Sequence, residues 1–267
     1  MTDEAKFISF PEGRLTEASV RLDLIADHDG WFALSKPPGL VLVPDPWQAG
    51  TVDLVSALRA EVSAGKNQLA SLGIVAPSAI NRIDVDESGV AILAKNDDAA
   101  ATLRNLLGSA GLKMTYEFLA EGSAGDTVLE CSLPLSRHRE QQRVLVSHRS
   151  GKKASTVFRR TESFGLVSQW EAETFYSRIH QIRIHAAESG LGILGERLYK
   201  SVPFVYLSDL KRKFRRRGRP ERPIYGHIAL HLKRVEIMVP DQAPIRIEAS
   251  LPRSYSALIK RLRQYST

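Results

Sequence analysis

Between positions 81 and 94 the chain reads NRIDVDESGVAILA, one arginine and three acids followed by a glycine and five apolar residues without a break. So short an apolar run, lacking the alternation of a half-exposed strand, reads as a buried strand. The charged turn then lies at the edge of that strand, where a rigid scaffold commonly holds the side chains that do chemistry. The rest of the chain has to supply the sheet around it.

Other segments fit that requirement. Residues 31–35 (WFALS) read as a strand ended by the Lys36-Pro37-Pro38-Gly39 turn, and Val52, Val55, Leu58 and Val62 recur at helical spacing within 51–64. Asp97 reads as the cap of a helix through Leu107. Strand-like runs follow at 115–120, 128–133, 155–160, 167–174 and 234–239, with helices expected near 180–188 and 253–264. Most connections are too short for parallel crossovers, and no glycine-rich phosphate loop follows a strand. The pattern predicts an α+β fold, a mixed, largely antiparallel sheet flanked by helices, in one domain over 23–267. Residues 1–22 lack clear periodicity and read as an N-terminal arm.

Charge is distributed unevenly. Lys211, Arg212, Lys213, Arg215, Arg216, Arg217, Arg219 and Arg222 stand within twelve residues with one acid, Glu221, and this insertion at 211–222 carries the chain's whole net charge of +7. The remainder holds 29 basic and 29 acidic residues. A concentrated basic stretch on a neutral body gathers polyanions, so RNA is the expected partner. No apolar run approaches the roughly 20 residues that span a bilayer, and no signal pattern opens the chain, so a cytoplasmic protein with no membrane association is expected. A single cysteine, Cys131, excludes an internal disulfide and a cysteine-rich zinc site. Nothing in the sequence names a protein partner, and a monomer is expected.

Two clusters invite a metal reading, and both fail on spacing. Asp84-x-Asp86-x-Ser88-Gly89 begins like a calcium loop, but the position that needs a bidentate acid is Lys95, and Val90 to Leu93 are strand-forming. The bland reading of that turn is an Asx-turn made by Asp84 or Asp86. His180 and His185, five apart, share neither a helical nor a strand face. No metal and no cofactor is expected. In the same cluster Arg183 could present a guanidinium to a carboxylate or a phosphate, or form a surface ion pair.

The order of these segments resembles a family. Lys36-Pro37-Pro38-Gly39, then Asn81-Arg82-Ile83-Asp84 with Ser88-Gly89 and Leu93-Ala94-Lys95, resemble the RluA-like pseudouridine synthase blocks KPxG and HRLDxxTSGLLLLAK. Thr115-Tyr116 with Gly122 resembles KxYxAxxxG, Gly151-Lys152 with Ala154 and Thr156 resembles GKxAxT, and 177–185 resembles GRTHQIRVH. Leu230-His231 is similar to the LHA near the family's C-terminal end. The resemblance covers roughly residues 30 to 240, without the S4 RNA-binding domain many members carry, for which the arm has no room.

The resemblance implies a cofactor-free isomerisation of uridine in RNA: the glycosidic bond breaks, the base rotates, and C5 joins the ribose. Asp84 matches the catalytic carboxylate, acting at the sugar as nucleophile or base, and Arg183 the guanidinium that keeps it ionised. Tyr116 matches a tyrosine that stacks on the base and is implicated in removing the C5 proton. Arg82 matches a residue that holds the nucleotide out of the helix. Lys36, Lys152, Arg178, His180 and Gln181 are expected to contact RNA together with Lys211, Arg212, Lys213, Arg215, Arg216, Arg217 and Arg219. Ribosomal RNA is favoured over transfer RNA. The sequence departs from the pattern at Asn81, Glu87, Met114, Phe118, Ser177 and Ile179. Of these, Glu87 is expected to raise Asp84's pKa and disturb RNA placement. The alternatives are a catalytically degenerate RNA-binding protein of the same fold and a hydrolase of nucleotide or glycosidic bonds.

Overall fold

The apolar run of the opening stretch is the strand Ser88–Ala94, every residue of which is buried. The computed structural model describes residues 7–47, 50–122, 125–211, 218, 220–239 and 242–265. In chain order the elements are β1 (Phe7–Phe10), β2 (Val20–Asp27), β3 (Trp31–Lys36), α1 (Leu54–Ser63), α2 (Asn67–Ser71), β4 (Ser78–Ala79), β5 (Ser88–Ala94), α3 (Asp97–Gly108), β6 (Leu112–Glu121) and β7 (Val128–Cys131). They continue with β8 (Leu135–Arg137), β9 (Val144–Val146), β10 (Thr156–Phe164), β11 (Val167–Thr174), α4 (Gln181–Glu188), β12 (Gly192–Ile193), α5 (Leu207–Leu210), β13 (Leu230–Ile237), β14 (Ile245–Glu248) and α6 (Arg253–Tyr265).

The main sheet runs β1-β2-β3-β5-β13-β6-β11-β10-β7, with β4 on β5, β12 on β6 and β14 on β13; β8 and β9 form a separate hairpin. Among these pairings only β5 with β13 is parallel, so the fold is α+β with a mixed, largely antiparallel sheet. That parallel seam explains Gly89. Its φ is +131°, and a Cβ there would lie 2.2 Å from the Leu232 carbonyl oxygen, so only glycine lets β13 approach the strand that carries the charged turn.

Three boundaries differ from the sequence reading. Of the expected arm at 1–22, residues 1–6 lie outside the described residues, and the rest holds one strand and the start of a second. Phe7 to Phe10 pairs with β2 and buries Ile8 and Phe10; a four-residue strand is too short to show periodicity. Helix α1 starts at Leu54 because the Asp53 carboxylate accepts from Ser56 N–H, which leaves Val52 outside the helix and exposed. Asn96, not Asp97, caps α3, accepting from Ala99 N–H, and Asp97 and Asp98 sit in the first turn, where acids favour the helix dipole. Of the basic insertion, Arg212, Lys213, Arg215, Arg216, Arg217 and Arg219 lie outside the described residues.

Candidate active site

The turn before β5 is fastened from several sides. Asn81, fully buried, donates through Nδ2 to Val90 O (2.9 Å) and accepts from Ile92 N–H (2.8 Å), locking the turn to β5. Arg82 N–H donates to Ser177 Oγ at 2.8 Å, so two departures from the family pattern serve as anchors. Lys36 Nζ donates to the carbonyls of Pro37 (3.0 Å), Leu40 (2.8 Å) and Val85 (3.2 Å), and Gly39 N–H meets Val85 O at 2.7 Å. Burial pulls the Lys36 pKa down to about 7, against the opposing pull of Glu87, Asp84 and Asp86. The expectation that Lys36 contacts RNA is therefore corrected: its three donors are spent on backbone and the side chain is enclosed.

Asp84 thus projects toward the N-terminus of α4. Arg183 Nη1 donates to Asp84 Oδ2 at 3.2 Å, while Nε and Nη2 donate to Glu196 Oε2 (2.7 Å) and Oε1 (3.0 Å). Glu196 is buried, and its Oε1 also accepts from Arg197 N–H (2.8 Å) and Leu198 N–H (2.6 Å). The guanidinium is therefore stretched between two carboxylates, one of them fixed by backbone. His180 Nε2 lies 3.5 Å from Asp84 Oδ2, and Tyr199 hydroxyl, which accepts from Val144 N–H, is 2.7 Å from His180 Nδ1. With that hydroxyl donating to Nδ1, the ring proton sits on Nε2, facing Asp84. His180 adopts φ +53°, a strained left-handed conformation for a non-glycine residue. It ends the irregular approach and aims the ring at the carboxylate.

The electrostatics sort the two neighbouring acids. Burial would raise the pKa of Asp84, but His180 and Arg183 outweigh it and hold the carboxyl below its usual value. Arg183 supplies the constant part of this effect, since burial lowers His180's own pKa and keeps its ring mostly neutral. Glu87 goes the other way: burial and then Asp84's charge push it well above the usual carboxylate range. The expectation that Glu87 would raise Asp84 is thereby reversed. Glu87 takes the proton and leaves Asp84 the charge.

The open pocket above Asp84, about 260 Å³, is lined by Val43, Pro44, Trp47, Arg82, His180 and Arg183 among others, and has room for one nucleoside. Tyr116 does not line it. The tyrosine is buried in β6 and lines a narrow cavity behind Asp84, shared with Glu87, Arg82, Tyr176 and Arg178. Burial, Glu87 and Asp84 push its hydroxyl well above 10, so the phenol holds its proton and is a poor unaided base.

Of the remaining candidates, Arg82 and Lys152 are exposed and Arg178 is half-buried; all three line an adjoining cleft of about 510 Å³ together with Arg137. A further cleft of about 460 Å³ shares Arg82 and Arg137 and adds Arg104. Gln181 is corrected like Lys36. Its Nε2 donates to Ser155 O, Thr156 Oγ1 and Thr174 Oγ1 while Oε1 accepts from Arg178 N–H, so it ties α4 to the sheet. Lys211 ends α5 with its ammonium over the Tyr265 ring. His185 spends both ring nitrogens on Thr156 Oγ1 and Leu133 O. Sequence reasoning missed Glu196 and Tyr199, which orient the two groups facing Asp84, and also Arg104 and Arg137. The available signal for the first pair was weak, an acid and a tyrosine three apart just after Gly195.

An ionised carboxylate under a nucleoside-sized pocket, with guanidinium groups along the adjoining walls, defines a site for acid-base or nucleophilic chemistry on a polyanion. Residues 30–188 match the family described as RNA pseudouridylate synthase, and the chain belongs to that family. It is 30% identical over 259 residues to the ribosomal large subunit pseudouridine synthase D of Xylella fastidiosa, covering 92% of this chain and 71% of that protein. An uncharacterized RNA pseudouridine synthase of Synechocystis is 30% identical over 188 residues, 68% of this chain. The chain spans 56% to 61% of the length of this and two other curated relatives it matches. The human RNA pseudouridylate synthase domain containing 4 shares the fold, with a TM-score of 0.66 at 17% identity over 90% of this chain and 92% of that one.

Proposed function

We propose that this chain isomerises uridine in RNA to pseudouridine, with Asp84 as the carboxylate that acts at the sugar. The observation that carries the reading is the Arg183 contact to Asp84, 3.2 Å long, at the floor of a pocket of about 260 Å³. It keeps Asp84, which lines the pocket together with Asp45 and Asp86, ionised, as a nucleophile or base must be. Trp47, whose ring lies 5.8 Å from that of His180, offers a stacking face for a flipped base. The strand on either side of that base follows the clefts lined by Arg82, Arg104, Arg137, Lys152 and Arg178, where phosphates meet guanidinium and ammonium groups. The basic insertion at 211–222 adds sequence charge that attracts the RNA backbone. Ribosomal RNA is favoured over transfer RNA because several relatives carry ribosomal large subunit in their names.

The test is a site-resolved pseudouridine map of cellular RNA with and without the protein, repeated with Asp84→Asn. One or more sites should vanish on deletion, return with the wild-type chain and stay absent with the isosteric variant. An unchanged map refutes the reading, and restoration by Asp84→Asn removes Asp84 from the chemistry.

A further inference from the structure

Three guanidinium groups line the pocket above Asp84, those of Arg82, Arg183 and Arg197. Arg183 is spent on Asp84 and Glu196, and Arg82 also lines both adjoining clefts, whereas Arg197 lines neither. Arg197 is exposed, and among the described residues its guanidinium makes no ion pair and no hydrogen bond. It lies instead over the Phe204 ring, 5.1 Å from the centroid. Stacking uses the face of the guanidinium and leaves its in-plane N–H donors free. The turn beneath it is fixed. Arg197 N–H and Leu198 N–H both donate to Glu196 Oε1, at 2.8 and 2.6 Å, on the carboxylate that also takes Arg183. One buried side chain therefore sets both the guanidinium beside Asp84 and the turn that presents Arg197.

Charge decides what such a group can do. Asp45, Asp84 and Asp86 line the same pocket, so a phosphate at its mouth meets three carboxylates and needs a cation that none of them has taken. A nucleoside that fills about 260 Å³ leaves its phosphates at that mouth. We propose that Arg197 is a substrate-binding residue, gripping one of the two phosphates joined directly to the flipped uridine and so setting how deeply the ribose sits over Asp84. This deepens the function proposed above and rests on it. The flanking nucleotides keep to the clefts lined by Arg82, while Arg197 holds the nucleotide that enters the pocket. Such a contact carries no base information; it fixes the sugar against the carboxylate and leaves the selection of uracil to other groups. Lysine at this position would keep the charge but lose the stacked plane and the bidentate fork.

The experiment uses the full chain and synthetic oligoribonucleotides spanning a uridine that the pseudouridine map locates. Each carries normal linkages or a single uncharged methylphosphonate on the 5′ or the 3′ side of that uridine. At one of the two linkages, neutralising the phosphate should cost wild-type single turnover below saturation about 10-fold, as for one charge-assisted bond. Arg197→Ala should lose about 10-fold on the normal oligonucleotide and nothing more when that same linkage is neutralised. Arg82→Ala should stay sensitive there, and Arg197→Lys should recover part of both the rate and the sensitivity. The acid limb of the rate in Arg197→Ala should stay where the wild type has it, because Arg183 keeps its partners. An Arg197→Ala protein still sensitive at both linkages would make Arg197 a prop for the turn and overturn the proposal, as would wild-type turnover or a shifted acid limb. Oligonucleotides bound with this Arg197 dependence but left as uridine would refute the isomerase reading and keep the phosphate contact.

Discussion

Replacing Arg183 by lysine keeps a positive charge and removes a geometry. The guanidinium makes three charge-assisted bonds at once, two to Glu196 and one to Asp84, and a single ammonium cannot span both carboxylates in one plane. Glu196 is the better-fixed partner, with two backbone N–H groups on the same oxygen, so the lysine should settle there and leave Asp84. Losing one charge-assisted bond of about 1.5–3 kcal/mol corresponds to about one to two pKa units at roughly 1.36 kcal/mol per unit. Burial is the largest influence on Asp84 and acts upward, so the carboxyl shifts toward neutrality. The sign follows. In the wild type the lowered Asp84 pKa means that its ionised form, and the stability it contributes, is present above the unfolded value of about 3.9. Both are lost as pH falls through the folded value. In Arg183→Lys the acid limb of the single-turnover rate should therefore move up by about one to two pH units, in line with that bond energy. At neutral pH the rate should fall about 100-fold from misplacement alone. Thermal unfolding should show a loss of about 1.5–3 kcal/mol from the bond that lysine cannot replace. Single-turnover kinetics across pH on an RNA that the wild type modifies reads all but the last. A variant with wild-type rate and an unmoved acid limb would refute the argument that Arg183 sets the state of Asp84.

Lys36→Met should lower stability by about 1–3 kcal/mol, because buried carbonyls lose their donor, yet leave the salt dependence of RNA binding unchanged; a slope reduced by about one unit in filter binding would return Lys36 to the RNA surface. Tyr116→Phe should bind RNA normally and turn over at least about 10-fold more slowly, because the ring survives while the hydroxyl that the family resemblance implicates in removing the C5 proton is lost; wild-type turnover would confine Tyr116 to packing. Neutralising Arg215, Arg216 and Arg217 together should weaken binding to related and unrelated RNAs alike and flatten the plot of log affinity against log salt by about two to three units; an unchanged slope and affinity would take the insertion off the RNA track.

What the sequence discloses about this site follows from how local each feature is. The charged turn, its strand and Asp84 are contiguous and read together. The Asn81 and Ser177 departures cost nothing because each side chain still finds backbone to hold. Lys36 and Gln181 were misread for one reason. Both are polar residues at the end of an element, Lys36 closing β3 and Gln181 opening α4, and only the tertiary fold reveals that their donors turn inward to carbonyl and hydroxyl oxygens. Strand β1 was missed because its burial depends on a partner ten and more residues away.

Glu196 marks the limit of local reading more sharply. Asp84 and Arg183 are 99 positions apart, and a family pattern can still pair them. The residue that fixes Arg183 has no such mark, since an acid between Gly195 and Arg197 looks like solvated surface. Its burial depends on the preceding glycine. Gly195 has φ +83°, and a Cβ there would lie 2.6 Å from the Phe204 ring and 2.9 Å from the His227 carbonyl, so only glycine lets the chain turn tightly enough to point the carboxylate back at α4. Asp84 remains ionised because Arg183 is held, Arg183 is held because Glu196 is buried, and Glu196 is buried because of one backbone turn after β12. The charge state of the proposed catalytic group is thus set by a chain of contacts, each legible only after the one before it has been placed in space.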